Sequence, residues 1–388
     1  MQTQIANKEI YSQLIKSAEY IGQLAEQEVL IAEQNCTISK NVVNAIIEAG
    51  INRLIIPKEY GYPQIDFPTF SDLIKKIGYY NLSAAWVTYF YALHNAWVAL
   101  LPKHRMDEIY AHGGLLTDIF APVGRLEETE GGVILNGKWN FVSGIKYSDW
   151  VAVGALRFTP DSDMPLHFLL ALKVEDVEIV EDWDSLGLRG SGSHTIIVKD
   201  LFVPSDMLID LSEVTVNRKP KNLEISEDYL YFNKPYFPAF FIGFPSMAVG
   251  AAERIVDEFV QRAKNRIRFD GTNEGQSPSS QRVAGELKMK LKAVQSLLHD
   301  YVEMLAEDAG QYDNAEYNMI RVHIIKECVE IAVRATSSIG ASGLKRGSVL
   351  EVMTRDLITI STHITSLYED GISNFGKFMF DVPNNSRG

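Results

Sequence analysis

At 388 residues the chain exceeds what one ordinary hydrophobic core organises, so two or three domains are expected. Hydrophobic residues at 46% with 22% charged exclude a disordered or fibrous protein. Fifty acidic against 37 basic residues leave a formal net charge of −13, which argues against nucleic-acid and membrane-surface binding, since both need a basic face. Two cysteines, Cys36 and Cys328, supply neither a disulfide framework nor a Cys-based metal site. Met1 to Lys16 is polar and mixed, so no secretory signal is expected. A cytoplasmic, reducing location is the expectation.

In chain order, residues 1–114 read as a helical domain, with Leu24, Val29, Val42, Ile46 and Ile47 at helical spacings. The uncharged stretch Asn81–Pro102 has the length of a membrane span, but Asn81, Ser83, Thr88, His94 and Asn95 interrupt it. A helix buried on all sides is expected there, with no membrane. Residues 115–210 switch to short β-branched or apolar runs bounded by Gly, Pro, Asp and Asn, the spacing of a small barrel or sandwich as a middle domain. A charged connector covers 211–234. Residues 235–388 return to long helical periods: Met247–Arg266, Gln281–Asp308, Tyr312–Ile339 and Leu350–Phe378. Four such helices suggest a bundle. Helices, then strands, then helices imply separate domains rather than a βαβ sheet, and no Gly-x-Gly-x-x-Gly follows a strand.

The eight histidines are scattered, without His-Glu-x-x-His, so no metal site is expected. Gly190-Ser191-Gly192-Ser193 precedes a strand and lacks the strand–turn–helix setting of a nucleophile elbow. By residues alone it is a β-hairpin turn or a glycine-rich loop around a ligand. His94, among Trp86, Tyr89, Phe90, Tyr91 and Trp97, reads by itself as a hydrogen-bonded core histidine. Trp139 and Trp183 read as barrel packing, Arg266 and Arg268 as surface cations, and Gln281 as part of a helix start.

Several ordered motifs nevertheless resemble the acyl-CoA dehydrogenase superfamily over nearly the whole chain. Glu48-Ala49-Gly50-Ile51-Asn52-Arg53-Leu54 with Pro57-Lys58-Glu59-Tyr60-Gly61 is similar to its first-domain stretch. Phe120-Ala121-Pro122-Val123-Gly124 and Asn136-Gly137-Lys138-Trp139-Asn140-Phe141-Val142-Ser143-Gly144 resemble its two flavin-facing strands. The most specific match is Trp183 to Ser193, leading to Val198–Pro204. Ser338–Gly343 and Arg355-Asp356 resemble landmarks of the last two bundle helices. The resemblance implies a helical domain, a middle β-barrel and a four-helix bundle, assembled as a homotetramer with flavin at a subunit interface.

The dehydrogenases of that superfamily need a carboxylate base, in much of the family nine residues after the Arg of the Arg-Asp pair. Here that position is Ile364, and an isoleucine takes no proton. The alternative location in the first bundle helix, Arg262 to Phe269, has no carboxylate either. Glu369 in Tyr368-Glu369-Asp370-Gly371 lies five residues late, a displacement of ~7.5 Å along a helix, and is expected to be a solvated carboxylate. Arg355 followed eight residues later by His363 instead resembles the two-component flavin-dependent monooxygenases. That resemblance implies reduced FMN or FAD supplied by a separate flavin reductase, O2, a flavin C4a-hydroperoxide and a small organic, often aromatic, substrate. It assigns His363 as acid/base, titrating near neutrality, with His94 assisting and Ser143 near flavin N5. Flavin contacts are expected from Phe120, Ala121, Val123, Gly124, Trp139, Ser143, Arg266, Gln281, Gly340 and Ser342, and substrate or loop contacts from Trp183, Arg189, Gly190 and Ser191. Two further readings stand behind it: an acyl-CoA dehydrogenase-like enzyme with bound FAD and an atypical base, and an inactive, flavin-free scaffold.

Overall fold

A computed structural model describes residues 2–111, 114–159, 162–211, 225, 229–231, 234–308 and 310–382. Its first part is helical: α1 (Gln2–Gln27), α2 (Val29–Asn35), α3 (Lys40–Glu48), α4 (Phe67–Tyr80), α5 (Leu82–Leu93), α6 (Asn95–Val98) and α7 (Lys103–Tyr110). Side chains set these starts. Ser39 accepts from the Val42 amide, Asp66 from Thr69 and Asn81 from Ala84, each satisfying an amide that the helix leaves unpaired. All twelve residues of α5 are buried, so the uncharged stretch is a core helix, apolar on every face. A different segment, Tyr236–Asn265, is long and apolar enough to cross a membrane, yet 83% of its most apolar window is buried inside the protein.

The middle part comprises β1 (Leu116–Thr129), β2 (Gly132–Val142), β3 (Trp150–Thr159), β4 (Ser162–Lys173), β5 (Glu178–Val180), β6 (His194–Pro204) and β7 (Leu208–Asp210). They form one seven-stranded sheet in the order β5-β6-β2-β1-β3-β4-β7. β1 serves both halves. Its first residues, Leu116–Ile119, run parallel to β3, and its last, Arg125–Thr129, antiparallel to β2. The register shift between Ile119 and Gly124 frees residues 120–123 from that ladder, and strand pairing so interrupted re-aims side chains. The expected connector, 211–234, lies mostly outside the described residues.

The last part contains α8 (Tyr236–Phe240), α9 (Gly243–Asn265), α10 (Pro278–Glu307), α11 (Asn314–Ile339), α12 (Val349–Ser361) and α13 (Tyr368–Met379). Pro278 opens α10, where its missing amide costs nothing. Asp313 and Glu316 close a capping box on α11. One expectation is corrected: the fourth bundle helix is not continuous from Leu350 to Phe378. It ends at Ser361, and a short 3₁₀ turn, Ile364–Ser366, intervenes. The cause is local. In Ile358-Thr359-Ile360-Ser361-Thr362, Ser361 and Thr362 hydroxyls bond the carbonyls of Ile358 and Thr359, a competition that destabilises continued helix. His363 then turns extended, at φ −60° and ψ 136°, and caps the 3₁₀ turn with its ring.

Candidate active site

Helix α5 is the spine of the site. Trp86, Phe90 and His94 recur every four residues, which stacks them on one face. The Trp86 indole donates to Ser143 Oγ at 2.9 Å, and its ring lies 5.7 Å from that of His363. Phe90 stacks on His94 at 4.9 Å and 18°. From α9, Phe244 stacks on Trp86 at 4.7 Å and presents its face or edge to His363 at 5.1 Å. Phe240 stacks on the other side of His94 and meets Phe120 edge-on. The tertiary fold therefore gathers His363, His94 and Ser143, three residues far apart in sequence, into one aromatic cage.

The protonation states follow from burial. His363 is half-buried, and desolvation, aided by the positive charge of Arg321, holds its imidazole down at about 4. The expected titration near neutrality is thus corrected: the free protein keeps this ring neutral at pH 7. The Thr365 amide donates to Nδ1, so the neutral tautomer carries its proton on Nε2. An anion bound beside the ring would raise its pKa.

His94 is buried, 1% exposed, and burial holds it down at about 3. Its Nδ1 donates to the Leu116 carbonyl at 2.9 Å, leaving Nε2 as the acceptor, 3.2 Å from Asp118 Oδ2. Burial without a cationic partner pushes the Asp118 carboxyl well above the usual carboxylate range. A protonated Asp118 facing a neutral His94 satisfies both otherwise unpartnered atoms and avoids separating charge in a dry interior. Asp118 was not among the residues read from sequence. The available signal was a lone acid in Leu116-Thr117-Asp118-Ile119-Phe120, an apolar strand. Tyr236, whose buried hydroxyl also lacks a hydrogen-bond partner, stacks on Phe240.

The glycine-rich loop, residues 183–193, is clamped from two sides. Ser143 Oγ lies 2.8 Å from Ser193 Oγ, which lies 2.7 Å from Ser191 Oγ. Because an indole only donates, Ser143 must accept from Trp86 and keeps its own proton to donate. On the bundle side, buried Asp356 accepts from the Leu188 amide at 2.7 Å. Arg355 donates to the Leu186 carbonyl and to Glu33 and Glu351. Three loop residues expected at the substrate have structural partners of their own. Arg189 is spent on Asp184 and the Glu33 carbonyl. Gly190 packs where a Cβ would come within 2.9 Å of Ser83 Cβ. Trp183 donates its indole to the Leu188 carbonyl. Ser191, 1% exposed, belongs to the hydroxyl row.

The flavin-contact residues divide. Ala121, Val123 and Phe141 are exposed apolar side chains on β1 and β2, and β2 leads into Ser143. Phe141 is held at φ +68°, an uncommon conformation for an aromatic residue. Trp139 is corrected: it is fully buried, with its indole donating to the Ala121 and Gly154 carbonyls, so it packs the sheet and offers no face to a ligand. Gly124 serves it, since a Cβ there would meet Trp139 at 2.9 Å. Phe120 lines the cage. Arg266 and Gly340 meet elsewhere, at the end of α9, where Arg266 donates to the Ile339 carbonyl. Gln281 donates to the Gly275 carbonyl. The Ser342 side chain lies outside the described residues. Glu369 is exposed in the first turn of α13, and Ile364 is 79% exposed. Because the helix breaks at His363, a helical count from Arg355 reaches neither.

Comparison with known proteins agrees with this geometry. Residues 242–366 match the family described as acyl-CoA dehydrogenase, C-terminal domain. The oxygenase component of p-hydroxyphenylacetate 3-hydroxylase from Acinetobacter baumannii is 28% identical, over 93% of this chain and 85% of the relative. The oxygenase subunit HsaA of a flavin-dependent monooxygenase from Rhodococcus jostii is 25% identical, over 89% and 92%. Among solved structures, XiaF from Streptomyces sp., in complex with FADH2 and glycerol, superposes with a TM-score of 0.88 at 21% identity, over 100% of both chains. The fold is thus the helix–sheet–helix architecture of these enzymes, and the chain is similar over most of its length to the oxygenase components of flavin-dependent monooxygenases, with its C-terminal helices matching the acyl-CoA dehydrogenase C-terminal domain.

Proposed function

We propose that this protein is the oxygenase component of a two-component flavin-dependent monooxygenase acting on a small aromatic substrate. The observation that carries the reading is the cage itself: two neutral histidines and one proton-donating serine around aromatic walls, with no exposed-solvent carboxylate among them. A dehydrogenase would need a carboxylate base at the substrate, and the only acid among the described cage residues, Asp118, is held protonated.

The residues present fit a reduced flavin, FMN or FAD. The exposed apolar side chains of Ala121, Val123 and Phe141 suit a flat ring, and Ser143, which accepts from Trp86 and exchanges a hydrogen bond with Ser193, has a hydroxyl that can turn to the polar edge of that ring. Arg266 suits a flavin phosphate. When bound, reduced flavin activates O2 for transfer of one oxygen atom to the substrate, the other leaving as water. This chain's own part is to bind, exclude water and hold protons. The buried rings of Trp86, Phe90, Phe240 and Phe244 exclude water from around the two histidines. His363 offers its Nε2 proton, and the His94–Asp118 pair offers a hydrogen-bonding head for a polar group on the substrate. His363 is the acid/base residue of this reading, with His94 assisting through Asp118 and Ser143 as the flavin-orienting one.

A separate flavin reductase, O2 and a small-molecule substrate are its partners, and we propose a homotetramer with the flavin between subunits. The test supplies NADH and a general flavin reductase with an aromatic substrate panel. Oxygen consumption coupled to a hydroxylated product is the expected result. A protein that is yellow as purified, bleached by an acyl-CoA alone, overturns it.

A further inference from the structure

Arg321 of α11 is 5% exposed, and no carboxylate among the described residues pairs with it. Its Nη2 donates to the Thr365 carbonyl at 2.6 Å and to Asn318 Oδ1 at 2.5 Å. Its Nε and Nη1 are buried and have no partner. A guanidinium does not shed its proton to escape this, unlike a lysine or histidine. A buried, unpaired charge is costly, and removing the partner of such a charge is among the larger destabilising changes known. The neighbouring phenols offer no counter-charge: the hydroxyls of Tyr89 and Tyr301 are already spent on the carbonyls of Phe240 and Pro238.

Position links this charge to the cage. The guanidinium lies 4.6 Å from the centre of the Phe241 ring, Phe241 is 5.5 Å from Phe244, and Phe244 is 5.1 Å from His363. Arg321 also steadies the turn that carries His363, through the Thr365 carbonyl. That duty uses Nη2 alone and leaves Nε and Nη1 without a purpose. The geometry points to a second one: we propose that Arg321 is the anion subsite of the active site, taking a carboxylate on the aromatic substrate as its missing counter-charge. This rests on the aromatic-substrate reading above and narrows it to aryl acids. A carboxylate at Nε or Nη1 makes charge-assisted hydrogen bonds, while a neutral analogue leaves the guanidinium unpaired, and unpaired polar groups are what make such sites selective.

The experiment measures binding by calorimetry, without oxygen, to the full chain carrying reduced FMN. The probes are phenylacetate and p-hydroxyphenylacetate, each against its neutral amide. Each acid is expected to bind at least about 30-fold more tightly than its amide, the scale of one buried charge pair. In Arg321→Gln that preference should fall to within about threefold, and Arg321→Lys should retain part of it, since the charge survives without the fork. Equal binding of acid and amide to the wild-type protein overturns the proposal, and this comparison needs no variant. So does a preference that survives in Arg321→Gln, or failure of both acids to bind at millimolar concentration. A simple chloride requirement without acid preference also overturns it, because it marks a structural counter-ion. Product is assayed separately. Acid preference without hydroxylation leaves Arg321 assigned and rejects the monooxygenase reading, whereas hydroxylation of amide and acid alike does the reverse.

Discussion

At the residue scale the proposed chemistry turns on His363. Its neutral ring touches Trp86 and Phe244, with Nδ1 satisfied by Thr365 and Nε2 carrying the proton. His363→Ala should leave flavin binding near normal, lower product formation by ~10²-fold or more, and divert the oxygen consumed to free hydrogen peroxide. Peroxide and product measured together check this; Glu369→Gln, altering an exposed carboxylate, should change neither. The same ring makes a stability prediction. A histidine of ordinary pKa near 6.5 that the fold holds at about 4 binds its proton more readily when unfolded. Its contribution is therefore full above pH 6.5 and is lost as pH falls toward about 4. His94, held at about 3, acts in the same direction and over a wider range. Thermal melts between pH 7 and 4.5 should show a shallower pH slope for His363→Gln than for the wild-type protein.

At the scale of elements, the loop 183–193 is a clasp between sheet and bundle. Gly187 sits where a Cβ would lie 2.3 Å from the Arg355 carbonyl oxygen, so loop and α12 touch backbone to backbone. Asp356 completes the contact by accepting from the Leu188 amide. Asp356→Ala strands a buried amide and should cost about 1–3 kcal/mol, read as a lowered Tm. Asp356→Asn keeps an acceptor oxygen and should cost clearly less. An equal loss in both would show that the charge, not the hydrogen bond, holds the clasp. Gly190, by contrast, packs against Ser83 of α5 and Ala32 of α2, so its replacement disturbs the junction with the first helices before it reaches any ligand.

For the whole molecule, the question is what covers the apolar surface left over. The buried first half of α9 does not need a partner subunit. Gly78 and Gly250 let α4 and α9 approach so closely that a Cβ would come within 2.8 Å of the Met247 carbonyl or 2.1 Å of the Lys75 carbonyl. The exposed apolar residues lie elsewhere, notably Ile267 and Phe269 just beyond α9, Met289 on α10 and Phe380 after α13. Phe269, fully exposed beside Arg266 and Arg268, is the kind of apolar side chain that the proposed tetramer would bury. If that tetramer forms through it, Phe269→Asp should shift the assembly toward smaller species in light scattering, with secondary structure unchanged. A wild-type protein of monomeric mass at micromolar concentration removes the tetramer.

Local patterning was enough to announce the fold. Helical spacing before residue 115 and after 235, with β-branched runs between, is a property of neighbouring residues, and the order of motifs carried the family and its flavin chemistry. His363, His94 and Ser143 could be singled out in the sequence because the resemblance points to them, and folding brings them around Trp86, Phe90 and Phe244. What tertiary structure alone decided is whatever depends on distant partners. Asp118 became a proton holder because folding buries it against His94 with no cation near. Trp139 left the flavin site because its indole finds two backbone carbonyls across the sheet. Arg321 is defined by what surrounds it, rings and spent hydroxyls drawn from α5, the α8–α9 junction, α10 and the turn after α12. Burial and pairing are long-range quantities, and they set charge, proton position and selectivity.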